Sequence, residues 1–177
     1  MTILVTGGAG YIGSHMVLAL TDAGEDVVVL DNLSTGFWWA VAPRAKLVEG
    51  DIGDEVLLHR LMAEHRFDAV VHFAGSIVVP DSMTDPLGYY LNNTVKSRLL
   101  MACAVKAKVP RFIFSSTAAV YGNPKTLPVF ETEAPAPPLS RRSGGIDGRP
   151  VLAYSPSSSP EMADSAVSTS FLTRRSG

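Results

Sequence analysis

The chain has 177 residues, 46% of them hydrophobic, and 17 acidic against 15 basic side chains give a formal net charge of −2. That apolar content is enough for one buried core, as a single domain or a domain with an appendage. The charge balance excludes the basic field that nucleic acid or an anionic membrane would need, so small molecules are the expected partners.

Thr2 to Thr6 is a short β-branched run, followed by a glycine cluster and then by Ile12 to Ala23, where apolar residues recur at helical spacing up to Gly24. A strand, a turn and a helix are expected. Asp26 to Asp31, "DVVVLD", is an apolar run closed by an acid and the turn-like "NLSTG". It suits a parallel strand buried on both faces. The alternation continues with "KLVEGD" ending at Asp51, a helix over Asp54 to His65, a strand over Ala69 to Phe73, a long helix opened by Pro86 and running to Lys106, and a fifth strand over Arg111 to Ser116. Parallel strands need crossover helices, so the expected fold class is α/β, a doubly wound parallel sheet of the Rossmann-like kind, incomplete on its C-terminal side.

Five prolines between Pro124 and Pro138 make an extended loop. Beyond Ser140 the periodicity dissolves. No lysine follows Lys125, and residues 141–177 hold nine serines but only two aromatics, Tyr154 and Phe171. Such a segment buries too little to offset its ordering entropy. The expected organisation is a domain over residues 1–140 and a poorly ordered Ser/Arg/Gly/Pro-rich tail over 141–177, with one helical turn begun by Ser159, Pro160 and Glu161.

Cys103 is the one cysteine and sits in an apolar helical segment, so no disulfide framework forms and a reducing compartment is expected. No run of about 18 uncharged apolar residues occurs, so no membrane span is expected. The N-terminus lacks the basic lead-in of a signal peptide, which leaves the cytoplasm as the expected location. His15, His59, His65 and His72 show no metal-ligand spacing and read as structural. The aromatic cluster "FWWAV", Phe37 to Val41, reads as packing in a loop.

The motif with chemical content is "TGGAGYIGSH", Thr6 to His15. Gly8, Gly10 and Gly13 fit G-x-G-x-x-G, and Gly7, Gly10 and Gly13 fit the G-x-x-G-x-x-G variant. Between a strand and a helix, such glycines permit a tight turn and let helix N–H groups face a pyrophosphate. Asp31 follows Gly13 by 18 residues, near the spacing at which an acid accepts the adenosine ribose hydroxyls. A carboxylate there repels a 2′-phosphate, so NAD is expected rather than NADP. The plainer alternative is a structural turn with Asp31 as a strand-end cap.

Together with "GDIGD", "VVHFAG", "YYLNN" and "FSSTAAVYGNP", these residues resemble the extended short-chain dehydrogenase/reductase family, and within it the UDP-glucose (UDP-galactose) 4-epimerases. The similarity runs from Met1 to about Ser140. It implies that Tyr11 and Ile12 lie against the pyrophosphate, that Asp31 and Asn32 hold the adenosine ribose, and that Asp51 and Ile52 flank the adenine. Phe73, Ala74 and Gly75 would line the cofactor with Asn92, and Thr117 would bond the sugar near O4. The implied chemistry is that of an isomerase: hydride passes from sugar C4 to NAD and returns to the opposite face. The implied partner is a UDP-sugar. Ile77 is a departure, since some members carry Lys there.

The family removes the C4 hydroxyl proton with Tyr-x-x-x-Lys on one helical face, where nearby positive charge favours phenolate. An ungapped count from Thr117 puts that pair at 142 and 146, where this chain has Arg142 and Ile146. Tyr154 has Ser158 four residues on, and Pro124 separates Tyr121 from Lys125. The expectation is an inactive chain, truncated or changed in reading frame just after Ser140, or else bearing a divergent tail. Homodimerisation, a family habit that uses the Tyr-Lys helix, is not expected, whereas aggregation through exposed apolar surface is. Two alternatives remain open: another nucleotide-sugar-modifying member of the family, or a non-catalytic NAD-binding fragment. Dehydratases tend to carry Asp-Glu after the Thr of the fifth-strand motif; here Ala118 and Ala119 follow Thr117.

Overall fold

The structure, a computed structural model, describes residues 1–115, 121–122, 127–130 and 132–134. The chain divides into two compact units, Met1–Ser116 and Thr117–Gly177. Among the second unit's described residues the Glu133 N–H donates to the Phe130 carbonyl at 3.0 Å. The helical turn expected at Ser159 lies outside the described residues.

The first unit is a five-stranded parallel sheet in the order β3-β2-β1-β4-β5. Its strands are β1 (Thr2–Thr6), β2 (Asp26–Asp31), β3 (Lys46–Glu49), β4 (Ala69–His72) and β5 (Phe112–Phe114). The central strands carry apolar residues on both faces because both faces are covered. On one face Leu4, Val28, Leu30 and Val70 pack with Leu57, Leu58 and Leu61 of α2 (Glu55–Glu64) and with Leu100, Cys103 and Ala104 of α5 (Ser97–Lys106). On the other, Ile3, Val5, Val27, Val29 and Val71 pack with Val17 of α1 (Tyr11–Asp22). Register keeps like with like: Val5 stands opposite Val29 on one side and Val71 on the other.

Helix ends follow local chemistry. Asp54 caps α2 by accepting the Leu57 N–H at 2.9 Å, and α1 stops at Gly24, whose φ of +82° suits a residue without Cβ. The helix expected from Pro86 to Lys106 is present but not uniform. It comprises α4 (Pro86–Tyr90), a π-helical segment (Leu91–Lys96) and α5, and is preceded by an unexpected short helix, α3 (Val79–Thr84). The wide turn coincides with two asparagines that bond back to Ser76. The Ser76 N–H donates to Asn93 Oδ1 at 2.8 Å, Asn93 Nδ2 to the Ser76 carbonyl at 2.8 Å, and Asn92 Nδ2 to Ser76 Oγ at 3.0 Å. β3 also ends before Asp51, because residues 51–53 form a turn in which Asp51 Oδ1 accepts the Gly53 N–H.

Candidate functional site

Strand order fixes where a site can form. From β1 the chain winds outward through β2 and β3, then returns to place β4 on the other side of β1, so the winding direction reverses between β1 and β4. Crevices at such a reversal, beyond the carboxyl ends of the strands, are where open α/β sheets take ligands. A cavity of about 530 Å³ lies there. Its lining includes Gly7, Gly10, Asp31, Asn32, Asp51, Ile52, Phe73, Ala74, Gly75 and Asn92.

The glycine turn is built by close approach. Gly7 has φ +72°, and a Cβ there would stand 2.6 Å from the Ala74 backbone nitrogen. A side chain at Gly13 would meet the Gly7 carbonyl oxygen at 2.1 Å, so α1 packs directly on the turn. At the cavity, α1 begins with Gly10 as N-cap and no side-chain cap. The first N–H groups of a helix have no intrahelical acceptor, which leaves those of Tyr11, Ile12 and Gly13 for an external anion.

Asp31 is buried, 7% exposed, and its carboxylate joins two loops: Oδ2 accepts the Ala9 N–H at 2.9 Å and Oδ1 the Leu33 N–H at 2.9 Å. It therefore caps the strand end and fixes the glycine turn while lining the cavity. Next to it, Asn32 Nδ2 donates to Asp51 Oδ2 at 3.0 Å, and Lys96 Nζ reaches the same oxygen at 2.8 Å. Partial burial works to raise the Asp51 carboxyl, but hydrogen bonds from Lys96, Gly53 and Asn32 and the Lys96 charge outweigh it and hold the group below its ordinary value.

Behind the lining runs a buried polar chain. Thr6 Oγ1 lies 2.6 Å from His72 Nδ1, and His72 Nε2 lies 2.8 Å from Ser97 Oγ. All three residues are buried, and desolvation lowers the His72 pKa to about 4, so the ring is neutral. This chain ties together the residue before Gly7, the residue before Phe73 and the first turn of α5.

Ten of the residues singled out in the sequence thus share one cavity. Gly13 packs against Gly7 of the lining, and Tyr11 and Ile12 are exposed and outside the lining. Thr117, Arg142 and Ile146 lie outside the described residues. Sequence reasoning missed Ser34, Thr35, Ser76 and Tyr89 in the lining, and Lys96 beside Asp51. The first two lie in "DNLSTG" and were within reach; Lys96 is 45 residues from its partner and carried no local signal. Ile77, the departure noted above, also lines the cavity. Among the described residues no cluster of His, Cys, Asp or Glu is placed to hold a metal, and no helix is long and apolar enough to cross a membrane.

Residues 3–144 match the model of the NAD dependent epimerase/dehydratase family. The chain is 54% identical over 138 residues to a UDP-glucose 4-epimerase of Azospirillum brasilense, a match covering 78% of this chain and 39% of that protein. Among solved structures it is similar to UDP-glucose 4-epimerase from Brucella ovis in complex with NAD, at 43% identity and TM-score 0.69 over 77% of this chain and 42% of the other. It is also similar to the Thermotoga maritima enzyme with UDP-glucose, at 42% identity and TM-score 0.69 over 77% and 45%. The chain spans about two fifths of the length of the curated relatives it matches. With the doubly wound sheet, the glycine turn and the acid at the end of β2 in place, the chain belongs to the NAD dependent epimerase/dehydratase family.

Proposed function

We propose that the Met1–Ser116 unit is the NAD-binding half of a UDP-glucose/UDP-galactose 4-epimerase, and that this chain binds NAD without epimerising a sugar. The observation that carries the first part is the cavity itself. An uncapped helix N-terminus meets a turn that only glycine can form, with the Asp31 carboxylate on the same lining. Those are the parts a dinucleotide requires: N–H donors for the pyrophosphate and an acceptor for ribose hydroxyls.

In this reading the N–H groups of Tyr11 and Ile12 hold the pyrophosphate. Asp31 and Asn32 hold the adenosine ribose, and Asp51 and Ile52 bound the adenine. Phe73, Ala74, Gly75 and Asn92 line the path towards the nicotinamide, and Thr117 serves the sugar near O4. When bound, NAD supplies reversible hydride acceptance at sugar C4. The chain must remove the C4 hydroxyl proton, and a free phenol with a pKa of about 10 needs a neighbouring cation to do so near neutrality. Arg142 and Ile146 stand where the family resemblance calls for Tyr and Lys. Loss of a general base costs about 10²- to 10⁴-fold. Loss of its lysine as well puts this chain at background.

Calorimetric titration tests the first part: the chain takes up NAD and binds NADP more weakly, because the Asp31 carboxylate opposes a 2′-phosphate. A chain that is folded by circular dichroism yet takes up no NAD would sink the reading. A coupled epimerase assay tests the second, with turnover above background as the contrary result. Translating the other two frames past Ser140 tests the origin of residues 141–177, since a changed frame predicts a Tyr-x-x-x-Lys segment in one of them.

A further inference from the structure

We propose that Lys96 is a positioning residue for adenine specificity: it orients the Asp51 carboxylate so that the cavity accepts a 6-amino purine and disfavours a 6-oxo purine. The proposal rests on the NAD reading above and extends it to a residue outside the cavity lining.

The argument is one of hydrogen-bond capacity. A carboxylate offers about four acceptor sites, two per oxygen. Asp51 Oδ2 takes Lys96 Nζ at 2.8 Å and Asn32 Nδ2 at 3.0 Å; Oδ1 takes the Gly53 N–H at 2.7 Å. One site remains, on Oδ1, in a residue that lines the cavity beside Ile52. It can accept one further N–H, such as an exocyclic amine supplies. A carbonyl oxygen in that place meets a carboxylate with no proton between them, a repulsive contact.

The ammonium that sets this orientation is itself held. Lys96 closes the π-helical segment, and its stem crosses Gly53, where a Cβ would stand 3.1 Å from Lys96 Cε and Cγ. The ammonium thus arrives from a fixed direction. Without it Asn32 is the remaining side-chain donor on Oδ2, and a carboxylate one-third exposed can turn about its last bond and offer another face.

The test compares binding of NAD and of nicotinamide hypoxanthine dinucleotide, its 6-oxo analogue, to the full chain and to K96M, K96Q and K96R. The unaltered chain is expected to prefer NAD by about tenfold, as a partly solvated polar contact allows. K96M and K96Q are expected to bring the two affinities within about threefold of each other, chiefly by weakening NAD, while K96R keeps the preference. A loosened fold would weaken both dinucleotides alike, and that result overturns the proposal. So does an unaltered chain that binds both equally, or failure of all three variants to fold, since a surface ion pair of this kind is not needed for folding. If the unaltered chain binds neither dinucleotide, the NAD reading itself falls and this proposal with it.

Discussion

Gly7 and Asp31 meet at the glycine turn from opposite directions, one by lacking a side chain and the other by placing a buried carboxylate. At Gly7 the backbone has φ +72° and lies against residues 73 and 74. A Gly7→Ala variant pays for a left-handed conformation and for an overlap with backbone that cannot yield, which together predict a loss of about 2 kcal/mol or more. Urea denaturation of the two chains measures it. Asp31→Ala removes the acceptor of two N–H groups and leaves the Ala9 N–H in a buried place. The expected loss is about 2–4 kcal/mol, together with loss of measurable NAD uptake. If Asp31 served the cofactor alone, the variant would lose NAD uptake at unchanged stability, so the two readouts separate the roles.

At the scale of elements, one polar chain joins β1, β4 and α5 through Thr6, His72 and Ser97. His72 is neutral in the folded state, with a pKa of about 4 against an ordinary 6.5, because burial disfavours its charged form. The unfolded chain therefore binds the proton more readily. Its contribution to stability is full above pH 6.5, falls as pH drops from there to about 4, and is constant below that, amounting to about 3 kcal/mol in all. A His72→Gln variant keeps hydrogen-bonding groups but does not titrate in that window. Its stability should be flatter between pH 6.5 and 4 than that of the unaltered chain; an identical slope would assign the acid sensitivity to other groups.

Strands and helices differ in how far the sequence announced them. β1, β2 and β4 were legible because a strand buried on both faces must be apolar throughout, and their bounds differ from the expected ones by at most a residue. The glycine turn and Asp31 were legible because their spacing is local. The π-helical break in the helix after Pro86 was not, because it accompanies bonds from Asn92 and Asn93 to Ser76, across a turn that periodicity does not register. The pairing of Lys96, the last residue of the π-helical segment, with Asp51, just beyond β3, joins residues 45 apart in the chain and so belongs to no window of sequence. The reading of His72 as structural agrees with its place in the polar chain, where it links the ends of β1 and β4, next to Gly7 and Phe73 of the lining, to the start of α5.

For the molecule as a whole, the two edges of the sheet are unequal. β3, at one edge, begins and ends with charged residues, Lys46 and Glu49, which oppose pairing with another chain. β5, at the other, is Phe-Ile-Phe, with Ile113 51% and Phe114 62% exposed. β4 pairs one side of it, and no strand among the described residues pairs the other. A net charge of −2 supplies little repulsion between copies. The chain should therefore associate increasingly with concentration, and Ile113→Lys, a charge placed at the edge and away from the cavity lining, should reduce it. Light scattering across a dilution series, with NAD titration as the check that the fold survives, measures the effect. Equal association of the two chains would place the sticky surface elsewhere, with the exposed Phe37, Trp38 and Trp39 as the next site to alter.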